Sequence, residues 1–141
     1  MDDILALLGD LSLEPITLAQ LDTPAEPPLT QIHAMIRGCS GGLVIGFCQE
    51  TADRVTRPGR EAVAPKPYPS PWNHLEAGLL FAADVPLLIL KEAGITGGVF
   101  DDGVSGHLVH TIDDTFRCQD SHVRSLFSKW QGDISHHFYA T

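Results

Sequence analysis

The sequence predicts an α/β domain with a mostly parallel sheet, and three observations carry that expectation. Two short runs are apolar throughout, residues 42–48 (Gly-Leu-Val-Ile-Gly-Phe-Cys) and 86–90 (Pro-Leu-Leu-Ile-Leu). A strand without polar alternation is one covered on both faces, as in parallel sheets. Each run follows a segment with helical punctuation, so the order helix then buried strand occurs twice. The third observation is size: 141 residues, 43% of them hydrophobic, suit one filled core, and residues 1–141 read as a single domain.

The elements follow in order. Asp2 or Asp3 caps a short helix through Leu8, with Ile4, Leu5, Leu7 and Leu8 as its apolar face and Gly9 as its stop. Residues 13–18 alternate loosely and read as a strand. Residues 22–28 hold three prolines, Pro24, Pro27 and Pro28, and read as a loop. Thr30 is the expected N-cap of a helix in which Ile32, Met35 and Ile36 form a buried stripe and Gly38 is the stop. The first apolar strand follows directly. Residues 49–68 then turn to charge, glycine and proline, and Arg54, Arg57, Arg60 and Lys66 hold four of the nine basic residues. A connection this long is either a lid over a site or disordered.

Ser70 and Pro71 open the next helix, to residue 83, with an N-cap hydroxyl and a proline at the first helical position, where its missing N–H costs nothing. Leu75, Leu79 and Ala82 mark its expected core face. After a turn at Asp84 comes the second apolar strand, ended by Lys91 and Glu92. A glycine-rich stretch, residues 94–103, leads into a strand over 108–112, a helix over about 120–130, and a loose tail over 135–141.

Composition narrows the function. Eighteen acidic against nine basic residues give a formal net charge of -9, which repels phosphate backbones and anionic lipid, so neither nucleic acid nor membrane is expected as partner. No apolar run approaches the ~20 residues that span a bilayer, and the amino terminus is acidic where a secretory signal is basic; a cytoplasmic protein is expected. Cys39, Cys48 and Cys118 are an odd set without metal-ligand spacing and read as reduced thiols. His107 and His110 fall on opposite faces of the strand that holds them, which argues against a shared metal, and His136-His137 sits in the tail. Neither a dinucleotide fingerprint nor a phosphate loop is present, and Ser40 and Ser105 lack a nucleophile-elbow context. No cofactor and no metal are expected.

In open parallel sheets ligands bind beyond the carboxyl ends of the strands. Three segments are expected to converge there: the loop after Phe47, the start of the Ser70 helix, and the glycine-rich stretch. Trp72, Asn73 and Glu76 share one side of the helix, roughly opposite Leu75 and Leu79. A carboxylate in a partly closed pocket attacks a sugar anomeric carbon or stabilises the oxocarbenium-like cation of glycosidic cleavage. Equally, Glu76 can simply complement the helix dipole, and Trp72 either stacks on a base or packs on the core. Asp101 and Asp102 suit ribose hydroxyls or a base edge, and Asp-Asp-Gly is also a turn signal.

With those residues stated, the series Leu13-Glu14-Pro15-Ile16-Thr17-Leu18, then residues 32–46, then Ser70-Pro71-Trp72-Asn73-His74-Leu75-Glu76-Ala77-Gly78-Leu79, resembles bacterial TIR-like and nucleoside 2-deoxyribosyltransferase-like domains over most of residues 3–115. The resemblance implies a flavodoxin-like, mostly parallel sheet with helices on both faces. It places Glu76 at the position of a glutamate that cleaves or transfers N-glycosidic bonds in nucleosides or NAD. Those domains begin with a central strand, whereas this chain starts at what resembles the helix after it, so the first strand is expected to be missing and the sheet to have a gap in its middle. The resemblance thus implies an N-glycosidic-bond hydrolase or transferase acting on a nucleoside, nucleotide or NAD, with Glu76 as nucleophile or cation stabiliser, Trp72 as stacking platform, Asn73 orienting the sugar, and Phe47, Asp101 and Asp102 as further substrate contacts. The alternative is a non-catalytic nucleotide sensor or protein-interaction domain of the same fold, in bacterial defence or signalling. On either reading an exposed sheet edge favours a homo-oligomer.

Overall fold

The computed structural model describes residues 1–17, 27–63 and 65–141. Its elements are α1 (Asp2–Asp10), α2 (Pro28–Ile36), β1 (Gly42–Gly46), β2 (Glu50–Ala52), β3 (Val55–Arg57), β4 (Arg60–Val63), β5 (Lys66–Tyr68), α3 (Pro71–Ala82), β6 (Leu87–Glu92), a 3-10 turn (Gly98–Phe100), β7 (Leu108–Ile112) and α4 (Ser121–Ala140).

Strand β6 lies at the centre of a small parallel sheet of order β1-β6-β7, with Val44 beside Ile89 and Leu90 beside His110. The apolar run in β6 is uninterrupted because both its faces are covered. On one face Leu88 and Leu90 meet α1 and α4 through Leu7, Leu8, Phe127 and Ile134. On the other, Leu87 and Ile89 meet α2 and α3 through Ile32, Ile36, Ala77 and Leu80. The fold is therefore α/β with helices on both faces. The expected gap in the middle of the sheet is absent: β1 hydrogen-bonds directly to β6, and β6 to β7. The chain crosses over through α3 and returns to the neighbouring position, so consecutive parallel strands become adjacent.

Several local expectations are corrected. Residues 13–17 form no strand, and Leu18 and residues 22–26 lie outside the described residues. Helix α1 runs through Gly9 to Asp10 with Met1 at its N-cap, and α2 begins at Pro28 rather than after Thr30. The basic segment 49–68 is an arm of two antiparallel ladders, β2 with β5 and β3 with β4, turning at Pro58-Gly59, where Gly59 takes φ +72°. Helix α4 absorbs the expected loose tail as far as Ala140, carried by a stripe of Val123, Phe127, Trp130 and Ile134. Trp130 Nε1 also donates to the Pro86 carbonyl at 3.1 Å, fixing α4 to the start of β6.

The core face of α3 is rotated from the expected one. Ala77 and Leu80 are buried, whereas Leu75 and Ala82 are exposed. Strand β1 is the cause. At Gly42 a Cβ would lie 2.6 Å from a Leu80 methyl, so Leu80 occupies the space of the missing side chain. At Gly46 the Phe100 ring does the same. The small Ala77 then faces the sheet between these two close approaches. Among the described residues no helix is long and apolar enough to cross a membrane.

These contacts set a stability test. In Gly46→Ala the new Cβ would lie 2.5 Å from Cε1 of the fully buried Phe100 ring. Overpacking of this kind is expected to lower unfolding free energy by about 1–3 kcal/mol. Gly78→Ala, on the exposed side of α3 with nothing within 4 Å of its Cβ, is expected to raise it by roughly 0.5–1 kcal/mol. Urea titration of both variants checks this, and equal midpoints would contradict the packing argument.

Candidate functional site

The three segments expected at the carboxyl edge of the sheet do meet there. The Cys48 N–H, just beyond β1, donates to Glu92 Oε2 at the end of β6. Pro67, at the base of the arm, is the neighbour of Gly94, which takes φ +91°. Lys91 Nζ donates to the Phe100 carbonyl at 2.7 Å, and the His74 ring stands edge-on to the Phe100 ring with centroids 5.1 Å apart. Phe47 is half-buried, one residue past β1.

Helix α3 starts as its sequence dictates, with Ser70 Oγ accepting from the Trp72 N–H at 3.2 Å and Pro71 in the first turn. Glu76 then falls one residue before the buried Ala77, at the margin of the covered face, and is half-buried. Burial pushes its carboxyl above the ordinary glutamate range, opposed by hydrogen bonding from the Asn73 side chain. A carboxyl whose pKa is raised by burial, beside an amide, is suited to proton transfer or to stabilising a developing cation.

The other expected contacts are less concentrated. Trp72 is 46% exposed. At 100° per residue, Glu76 lies about 160° round the helix from His74, whose ring faces Phe100 and the glycine-rich stretch. Glu76 and Asn73 therefore stand together, while Asp101 belongs to the stretch that His74 faces. Asp101 Oδ1 accepts from the Gly97 N–H at 2.8 Å and closes its own turn, and Asp102 is exposed. A cleft of about 460 Å³ lies in the arm, lined by Glu50, Arg54 and Tyr68 among others. A second, of about 330 Å³, lies at the amino ends of β6 and β7, lined by His107, Lys129, Trp130 and Asp133 among others. Glu76 lines neither.

His74, Lys91 and Glu92 are carboxyl-edge residues that sequence reasoning did not nominate. The signal for the last two was present, since the first polar residues after a buried parallel strand emerge where such sheets bind ligands. Cys39, Cys48 and Cys118 are free thiols. His107 meets Phe81 of α3 and His110 meets His122 of α4, so the two do lie on opposite faces of β7. Among the described residues no group of three or more His, Cys, Asp or Glu is placed to hold a metal ion.

The raised Glu76 carboxyl has a measurable consequence. Because its folded pKa lies above the unfolded value, ionising it costs stability as pH rises through that interval. Glu76→Gln, which carries no charge, is expected to have a higher thermal midpoint than the parent at about pH 7.5, a difference that vanishes at about pH 3.5, where the Glu76 carboxyl is protonated in the folded and the unfolded chain alike. A lower midpoint for the variant at the higher pH would show that the ionised carboxylate is instead stabilising.

No protein-family model, no curated protein and no solved structure matches the chain.

Proposed function

We propose that the chain is an N-glycosidic-bond hydrolase or transferase, acting on a nucleoside, nucleotide or NAD through Glu76, on a flavodoxin-like domain of the TIR-like or deoxyribosyltransferase-like kind. The observation that carries the reading is Glu76 itself: a half-buried carboxyl with a raised pKa, beside Asn73, early in the helix that joins two adjacent parallel strands. In the reaction the bond from the sugar anomeric carbon to the base nitrogen breaks and its electron pair leaves with the base. The Glu76 carboxylate then either bonds to that carbon or stabilises the cation until water or an acceptor base adds. Asn73 orients the sugar, and the exposed face of Trp72 offers a surface for the base.

A second reading, a nucleotide sensor or interaction domain of the same fold without chemistry, is favoured by one observation. Asp101 is committed to its own turn, accepting from the Gly97 N–H in the stretch that His74 faces. One experiment separates the readings. Purified chain and Glu76→Gln are incubated with NAD and with a panel of nucleosides and deoxynucleosides, and products are resolved by chromatography. Free base released by the parent, with a loss of about a hundredfold or more in the variant, supports glycosidic chemistry at Glu76. No turnover, together with a nucleotide-dependent rise in the thermal midpoint, supports the sensor.

A further inference from the structure

We propose that the cleft between α4 and the amino ends of β6 and β7 binds a free amino acid with an apolar side chain, its carboxylate held by Lys129 and its ammonium by Asp133. The cleft has a volume of about 330 Å³. That is near the lower limit of small-molecule sites and suits an amino acid rather than a dinucleotide. Glu76 does not line this cleft, which is a site separate from the glycosidic one.

The sheet builds the apolar part. Leu88 and Leu108 are register partners on β6 and β7; Leu88 is fully buried, whereas Leu108 is 46% exposed. A strand residue this open beside the core leaves apolar surface that a ligand side chain gains by covering. Trp130 lines the cleft from α4. Its Nε1 already donates to the Pro86 carbonyl, so the indole is held in place and offers ring surface rather than a donor. His107 lines the strand side, half-buried and edge-on to Phe81 with ring centroids 6.0 Å apart.

The charged part comes from one helix. Lys129 and Asp133 both line the cleft and lie four residues apart, on one side of α4 and about 6 Å apart along its axis. Neither takes part in an ion pair or a side-chain hydrogen bond; among the described residues the ion pair present is Arg124 with Asp10. Cation before anion is also the order that favours a direct pair least, because it runs against the helix dipole. An unpaired cation and anion one turn apart complement a ligand that carries both charges close together. In an amino acid the carboxylate, the ammonium and the side chain share one carbon, so one molecule meets Lys129, Asp133 and the Leu108 surface at once. A simple acid would face Asp133 and a chain of formal net charge -9, and a simple amine would face Lys129, whereas a zwitterion meets neither repulsion unbalanced.

Titration of the isotope-labelled full chain with L-leucine and L-phenylalanine, followed through amide and indole N–H chemical shifts, is the test. Saturable shifts are expected at Gly106, His107, Leu108, Lys129 and Asp133 and at the Trp130 indole, with a Kd of about 0.1–1 mM, and none at Asn73 or Glu76. Phenethylamine, which lacks the carboxylate, and phenylpropanoate, which lacks the ammonium, are each expected to bind at least about tenfold more weakly than L-phenylalanine. Lys129→Gln and Asp133→Asn, both at exposed positions, are each expected to weaken binding of both amino acids about tenfold while the rest of the spectrum is unchanged. No saturable shift up to about 10 mM, shifts centred on Asn73 and Glu76, an analogue that binds as tightly as L-phenylalanine, or indifference to both substitutions would overturn the proposal.

Discussion

Everything else in the fold depends on β6 being buried on both faces. Leu87 is 3% exposed, and Leu88, Ile89 and Leu90 are fully buried. At about 1.5–3 kcal/mol for each such side chain, no single helical layer captures that burial, because consecutive residues of a strand point to opposite sides. Two helical layers are required, and the chain supplies them as α1 with α4 on one side and α2 with α3 on the other. The cover ends where the strand turns polar. Lys91 and Glu92 emerge half-buried at the carboxyl edge, where Lys91 binds the Phe100 carbonyl and Glu92 takes the Cys48 N–H. The edge that gathers chemical groups is thus the physical end of the buried run.

A second constraint, the glycines of β1, decides how α3 presents its polar residues. Leu80 fills the space over Gly42 and Phe100 that over Gly46, so α3 turns Ala77 to the sheet. That rotation brings Glu76 to the margin of the core and leaves Leu75 in solvent. Half-burial of Glu76 is therefore a result of strand composition some thirty residues earlier in the chain, and the raised pKa follows from the half-burial. Half-burying a carboxyl costs stability when it is ionised, a cost of the kind found at functional positions.

The parts of this arrangement legible in the sequence are those set by neighbours along the chain. The apolar runs announced β1 and β6, Ser70-Pro71 announced the start of α3, and the alternating spacing of His107 and His110 announced their opposite faces. What was not legible depends on packing between segments. The face of α3 is chosen by Gly42 and Gly46, not by its own leucines. The arm over residues 49–68 looked like an irregular loop because Pro65 and Pro67 discourage strand assignment, yet Pro67 sits at the edge of a two-stranded ladder, where a missing N–H is tolerated. Helix α4 outlasts its apolar stripe by six residues beyond Ile134, a length that no side-chain pattern in the tail signals. The convergence of three segments at the carboxyl edge was legible, and so was the turn at Asp101, whose carboxylate accepts from the Gly97 amide.

Charge adds the last constraint on what the carboxyl edge can receive. Most of the chain is acidic, and a phosphate-bearing ligand meets repulsion over that surface. The arm is the exception, with Arg54, Arg57, Arg60 and Lys66 rising from the same edge at Cys48 and Pro67. Arg57 and Arg60 are register partners across the β3 and β4 ladder, so two like charges face each other, an arrangement unfavourable to the pairing. The arm therefore differs from the rest of the surface in the sign of its charge, and is where an anionic group meets least repulsion.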